Sequence, residues 1–319
     1  MQNFLDFEKP LLEIQTKIEE LRHLKDDSEN IANELIALQE KFDKTLRDIY
    51  SNLTPWQKVK ICRHQDRPKY QDFVEKIFDE YINLSGDRLF GDDNALRGGL
   101  AKIDGFSCIV LGNDKGKNID DRVKNNFGMA KPEGYRKAQR IMNISKKFLL
   151  PIITFIDTPG AFPGIEAEDR GQSEAIASSI QLSLKLPAPI LSFIVGEGGS
   201  GGAIALATAN EVIMLEHSIY SVISPEGCAT ILWRDLEATD KAAESLKLTS
   251  KDLLDMKVID KIIDEPIGGA HRNINEICDL VRSSINSFFK RFSSKTSNEI
   301  IQHRNTKFLQ MGREFLENN

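Results

Sequence analysis

The sequence predicts an α/β protein with a stacked core, on three observations. A strand-like apolar run leads into a glycine-rich turn that opens a helix, and this unit occurs twice, the turns about 40 residues apart. Short apolar runs alternate with glycine turns from Gly86 to about Glu265. Ahead of them, residues 10–50 carry apolar stripes at three- and four-residue spacing.

In chain order, the stripes come first. Leu11, Ile14, Ile18 and Leu21 form one, and Ile31, Leu35, Leu38, Phe42, Leu46 and Ile49 form the other. Asp26-Asp27-Ser28-Glu29-Asn30 breaks them apart. This is the pattern of an antiparallel helical hairpin, or of helices packing on a partner, and its role is structural. The expected boundaries are a helical region at 1–55, a link at 56–85 with Trp56 and Pro68, a core at 86–265 and a helical tail at 266–319. Within the core, strands are expected at 106–111, 152–156, 190–195, 212–215 and 219–223. Helices are expected at 133–149, 171–186, 203–209 and 240–256. The tail from 274 on reads as amphipathic helix, with a solvated basic stretch near Lys290–Lys295.

Composition narrows the class. The chain has 319 residues, enough for one large core plus an appendage. It carries 42 basic and 48 acidic residues, a net charge of −6, which disfavours general nucleic-acid binding. No run approaches the ~18 apolar residues that span a bilayer, and Met1-Gln2-Asn3-Phe4-Leu5-Asp6 is no secretory signal, so a cytoplasmic protein without membrane partners is expected. Cys62, Cys108, Cys228 and Cys278 are scattered without Cys-x-x-Cys spacing. They define neither a disulfide framework nor a zinc site, and no metal is expected in this chain.

The first glycine turn follows Pro151-Ile152-Ile153-Thr154-Phe155-Ile156 and reads Asp157-Thr158-Pro159-Gly160-Ala161-Phe162-Pro163-Gly164. Asp-x-x-Gly after a strand resembles the metal-binding turn of GTPases, but no phosphate loop accompanies it. The second turn is Gly196-Glu197-Gly198-Gly199-Ser200-Gly201-Gly202-Ala203, entered from the apolar run Pro189–Val195. Five residues without side chains point to close backbone approach or positive φ. A helix opening there aims backbone N–H groups and the positive end of a dipole at one spot. The spot suits an anion, and three chemistries use one. The spacing Gly196-x-Gly198-x-x-Gly201, with Glu216 about 20 residues on, satisfies the dinucleotide fingerprint, though the unit is short for it. A GxxxxGK[ST] phosphate loop is absent, because Gly202 stands where Lys is required. An oxyanion hole is the third.

The remaining candidates carry bland expectations. No histidine among His23, His64, His217, His271 and His303 neighbours the glycines in sequence, so no catalytic triad is legible. Arg170 is expected to pair locally with Glu168 or Asp169. Glu197 is expected to bond neighbouring N–H groups. Lys115, Lys117, Arg122 and Lys124 read as a solvated basic loop, and Ser224-Pro225-Glu226-Gly227 as the turn under a helix at 229–236.

Several motifs, in order, resemble the carboxyltransferase α subunits of bacterial-type, multi-subunit acetyl-CoA carboxylase. They are Glu133-Gly134-Tyr135-Arg136-Lys137-Ala138, Pro151 through Gly160, Arg170 through Ala177, Gly196 through Ala203, Ser221 through Ala229 and Pro266 through Arg272. The similarity runs from Asn3 to about Arg272. Asn113-Asp114 departs from that family's usual His-Gln, which removes support for a coenzyme A phosphate role of the basic run.

The resemblance implies a crotonase-like fold of stacked ββα units. It implies transfer of a carboxyl group from carboxybiotin to acetyl-CoA, giving malonyl-CoA for fatty acid synthesis. It places an oxyanion hole for the biotin ureido oxygen on Gly201 and Gly202, with Gly198, Gly199 and Ser200 on the same carboxybiotin-binding side. Biotin arrives on a separate biotin carboxyl carrier protein, loaded by biotin carboxylase. The β subunit, in an α2β2 heterotetramer, holds the enolate of acetyl-CoA and a zinc ribbon. A non-catalytic scaffold or RNA-binding subunit keeping the fold is the alternative from another class; intact Gly201-Gly202 favours the enzyme.

Overall fold

The computed structural model describes residues 3–23 and 29–313. It opens on two helices, α1 (Lys9–His23) and α2 (Glu29–Tyr50). Leu11, Ile14 and Ile18 of α1 bury against Phe42 and Leu46 of α2. The Tyr50 hydroxyl donates to Glu8 at 3.0 Å, which ties the end of α2 to the start of α1 and makes the pair antiparallel. The break expected at 26–30 lies largely outside the described residues.

Residues 56–85, expected as a link, are built into the core. They form α3 (Pro55–Cys62), α4 (Tyr70–Ile77) and β1 (Glu80–Asn83). Thr54 and Gln57 make a reciprocal capping box, and Pro55 takes the first helical position, where its missing N–H costs nothing. β1 is followed by β2 (Leu96–Ile103) and β3 (Phe106–Asn113), all antiparallel. Asp104 and Gly105 join β2 to β3 with both φ angles positive, the two-residue turn that matches strand twist.

A parallel section follows. Its elements are α5 (Ile119–Lys124), α6 (Pro132–Phe148), β4 (Ile152–Thr158), α7 (Ile165–Asp169), α8 (Gln172–Lys185), β5 (Ile190–Gly199), α9 (Ser200–Ala207), β6 (Glu211–Leu215) and β7 (Ile219–Ser221). The chain continues through α10 (Pro225–Trp233), α11 (Thr239–Ser245), α12 (Ser250–Asp255), β8 (Lys261–Ile263), α13 (Ile274–Phe292) and α14 (Ser297–Gln310). The strands form one sheet in the order β1-β2-β3-β4-β5-β6-β8, and β7 pairs with the end of β5.

Every residue of β4 is buried, as an unbroken apolar run predicts for a strand covered on both faces. On one face Phe73 stacks on Phe155 at 5.2 Å and Phe155 on Phe193 at 5.6 Å, with Phe288 of α13 in the same core. On the other face Tyr135, Ile141 and Met142 of α6 join Ala203 and Leu206 of α9. The tail is therefore core as well as surface. Arg304 of α14 is fully buried, donating to the carbonyls of Leu186 at 3.0 Å and Ala188 at 2.7 Å.

Several expected boundaries are corrected. The helix expected at 240–256 is two, α11 and α12, separated at Lys247 with φ 50°. The strand expected at 219–223 ends at Ser221, and the helix expected at 229–236 is α10, starting at Pro225, where Ser224 caps it. β1, β2 and β8 have no counterpart in the sequence reading. Among the described residues no helix is long and apolar enough to cross a membrane.

Candidate active site

The two glycine turns meet at the ends of β4 and β5. β5 runs on through Gly199, and α9 begins at Ser200, so Gly196–Gly199 are strand and Ser200–Gly202 the first helical turn. Ser200 is exposed, with φ 50°, a left-handed conformation that serine adopts at a cost. The first N–H groups of a helix lack intrahelical acceptors. Among the described residues none accepts from the Gly201 or Gly202 N–H.

The five glycines are not equivalent. A Cβ on Gly196 would fall inside the Asp157 carboxylate, and one on Gly199 inside the Pro159 carbonyl. On Gly198 it would lie 2.9 Å from the Tyr220 ring, and on Gly202 2.6 Å from the Gly160 carbonyl carbon. These four are dictated by the chain's own packing. At Gly201 the nearest atom is 3.6 Å away, on Ile176, and φ is unstrained. The fold accepts a side chain at Gly201.

Gly201 faces a cavity of about 390 Å³, lined mostly by apolar groups that include Ile204, Tyr220, Val222, Leu246 and Met256. Its ionisable groups are Lys247 and Tyr220, and burial pushes the Tyr220 hydroxyl up to about 12. Beside the strand ends, outside the cavity lining, lies a charged cluster. The Lys115 ammonium sits 2.8 Å from Asp157 Oδ1 and 2.6 Å from Glu197 Oε2. Arg63 Nε bonds Glu197 Oε1 at 2.6 Å, and its guanidinium also pairs with Glu226 at the start of α10. Burial raises the Asp157 and Glu197 carboxyls, but their cations together outweigh it, Lys115 with Lys69 and the Glu197 N–H at Asp157, Lys115 with Arg63 at Glu197; both end below their ordinary values.

A family model described as acetyl co-enzyme A carboxylase carboxyltransferase-like matches residues 4–312. The chain belongs to this family. Relatives named acetyl-coenzyme A carboxylase carboxyl transferase subunit alpha agree. The one from Pelagibacter ubique is 51% identical over 316 residues, covering 98% of this chain and 86% of the relative. The one from Paracoccus denitrificans is 51% identical over 311 residues, covering 97% and 98%. Among solved structures, the transcarboxylase 12S hexamer core superposes with a TM-score of 0.60 at 17% identity, over 76% of this chain and 46% of that one. A Pseudomonas malonate decarboxylase hetero-dimer gives 0.58 at 16% identity, over 78% and 97%. The crotonase-like fold expected from the resemblance is thus the fold of this family member.

Gly198, Gly199, Ser200, Gly201 and Gly202 lie together at the strand end, but Gly198 and Gly202 are buried, while Ser200 and Gly201 line the cavity. Glu216, the acidic residue of the dinucleotide spacing, accepts the Glu265 N–H at 3.1 Å. Three bland expectations are corrected. Glu197 bonds Arg63 and Lys115, and it is the Glu197 N–H that donates, to Asp157 Oδ1 at 2.9 Å. Arg170 pairs with Glu133 at 2.9 Å, 37 residues away, not with its neighbours. Lys115 is not solvated: its side chain is 13% exposed, whereas Lys117 pairs with Asp72 at the surface. Sequence reading missed Arg63 and Asp157 as members of the cluster. No local signal marks Arg63. Asp157 was visible only as a turn residue, and its partner Glu197 stands 40 residues on.

Proposed function

We propose that this chain is the α subunit of an acetyl-CoA carboxylase carboxyltransferase, working in the cytoplasm, and that its α9 terminus is the carboxybiotin side of the active site. One observation carries the reading. Gly201 is glycine although nothing in the chain requires it, so the close approach that excludes a side chain there comes from a ligand. The neighbouring cavity, apolar and near 390 Å³, suits an uncharged bicyclic ring of biotin's size.

Bound there, biotin supplies a ureido nitrogen that carries the carboxyl group and a ureido oxygen that gains negative charge as the group leaves. The Gly201 and Gly202 N–H groups donate to that oxygen, and the α9 dipole adds partial positive charge. The lining residues exclude water from the donors, which strengthens them. The Tyr220 hydroxyl, pushed up to about 12 by burial, stays protonated near neutral pH, and the role of this chain is to orient and stabilise. Acetyl-CoA activation belongs to a β subunit, and biotin arrives on a carrier protein. The test is co-purification with a β subunit followed by carboxyl transfer between malonyl-CoA and biocytin. Transfer by the pair supports the reading; a stable pair that carries out none refutes it.

A further inference from the structure

The charged cluster beneath the glycine turn takes no part in the chemistry above. Asp157 and Glu197 follow Phe155 and Val195 of the aromatic core on β4 and β5. Lys115, Asp157 and Glu197 are largely buried, and none of them lines the cavity beside Gly201. They do decide the shape of the backbone that does. The β4–β5 ladder is regular from Ile152↔Ile190 to Ile156↔Ile194 and then slips, the next pair being Thr158↔Gly198. Two residues of β4 are thus matched by four of β5, so backbone pairing alone does not set where Gly199 and α9 begin.

We propose that Lys115 is a positioning residue for carboxyl transfer: its ammonium clamps the ends of β4 and β5 across the irregular register and so fixes the direction of the Gly201 and Gly202 N–H groups. The inference rests on the glycine-hole reading above. Lys115 reaches Asp157 on β4 and Glu197 on β5 at 2.8 and 2.6 Å. Asp157 Oδ1 takes a second donor, the Glu197 N–H, at 2.9 Å, and the Gly196 Cα lies against the same carboxylate. Without the ammonium, Glu197 keeps Arg63, while Asp157 keeps the field of buried Lys69, with which it makes no ion pair; the two carboxylates lose the one cation that bonds both, and the cheapest relief is movement of the slipped segment. That segment leads directly into the donors, where a misplacement of a few tenths of an ångström is costly.

The experiment uses the complete two-subunit enzyme in the malonyl-CoA to biocytin assay, with Lys115→Met, Lys115→Arg, Glu197→Gln and Gly201→Ala side by side. Lys115→Met is expected to lower kcat about tenfold or more, with KM for malonyl-CoA unchanged and the protein folded at assay temperature. Lys115→Arg, which keeps the charge, is expected to recover part of that loss. Wild-type kcat in Lys115→Met while Gly201→Ala is impaired overturns the clamp and leaves the glycine reading standing. Equal losses in Lys115→Arg and Lys115→Met, each tracking a fall in melting temperature, also overturn it. Full activity in Gly201→Ala removes the glycine hole, and the clamp's role with it. If Lys115→Met does not fold, Glu197→Gln decides: lowered kcat at unchanged KM supports the clamp, and unchanged kcat refutes it.

Discussion

Gly202 and Gly160 touch backbone to backbone: a Cβ on Gly202 would lie 2.6 Å from the Gly160 carbonyl carbon. The two glycine turns are therefore one structure. Thr158 braces it, its hydroxyl accepting the Gly160 N–H at 3.1 Å and donating to the Gly160 carbonyl at 2.6 Å.

This separates two glycines that look alike in sequence. Gly202→Ala is expected to destabilise, because rigid backbone must give way; overpacking of this kind costs about 1–3 kcal/mol. Gly201→Ala is expected to keep wild-type stability and lose activity on the ~10²–10³ scale of a lost oxyanion donor. Denaturant unfolding and carboxyl-transfer rates on both variants check the pair. Equal stability losses would contradict the sorting.

The Arg67–Glu265 pair is a second, independent prediction. Both side chains are fully buried, 2.6 Å apart, and Glu265 also accepts N–H groups of His217 at 3.0 Å and Ala270 at 2.7 Å. Glu265→Gln is expected to cost about 3–5 kcal/mol, since it strands the Arg67 charge in the core. Arg282→Ala, which breaks the half-exposed pairs to Asp79 and Asp104, is expected to cost no more than about 1 kcal/mol from those pairs. Urea midpoints of the two variants give the comparison.

Glu265 and His271 are two of the groups whose protonation weakens the fold in acid. Burial raises the Glu265 carboxyl, but Arg67 outweighs it and brings it from 4.5 to about 2. Its contribution is present above pH 4.5 and is lost as pH falls toward 2. Burial, with His64 stacked at 3.9 Å, lowers His271 from 6.5 to about 3. The unfolded chain binds that proton first, so stability from neutral His271 is complete above pH 6.5 and declines below it. Melting temperature against pH is expected to fall from about pH 6.5 downward, and His271→Phe to flatten the part above pH 4.5. An unchanged slope in that variant would place the effect on other groups.

The helical hairpin, β3 to β7 and both glycine turns were legible because each announces itself locally, by periodicity or by glycine. β1 was not, because it is mostly exposed and carries no apolar run, nor was β8, three residues that pair with β6, Ile213 standing opposite Lys261. β2 carries Gly98 and Gly99 in its middle, which hides its strand character; its one clear signal is the Asp104-Gly105 turn. At the site, the glycines stood out while the charged cluster did not. Arg63, Lys115, Asp157 and Glu197 come from four segments, and a buried ion pair leaves no local pattern to read.

The cysteines are all buried and free. Burial pushes the Cys62, Cys108 and Cys278 thiols up to about 12. Among the described residues no group of three His, Cys, Asp or Glu could hold a metal ion. Iodoacetamide at pH 8 is expected to leave these three thiols unlabelled until the protein is denatured. Elemental analysis of the purified chain is expected to find no stoichiometric zinc. One zinc per chain, free of partner, would contradict the expectation that this chain holds no metal.

The last prediction is that this chain alone does not carboxylate acetyl-CoA. The cavity beside Gly201 holds about 390 Å³, enough for a biotin ring and not for a coenzyme A thioester beside it. Its two ionisable groups are a lysine and a tyrosine whose hydroxyl stays protonated to about pH 12. Lowering one barrier by stabilising the ureido oxygen does nothing for the other half of the reaction. Adding a β subunit is therefore expected to turn a silent chain into an active one, with transfer saturating as the two reach equal amounts. Carboxybiotin-dependent formation of malonyl-CoA by the purified chain would overturn this division of labour.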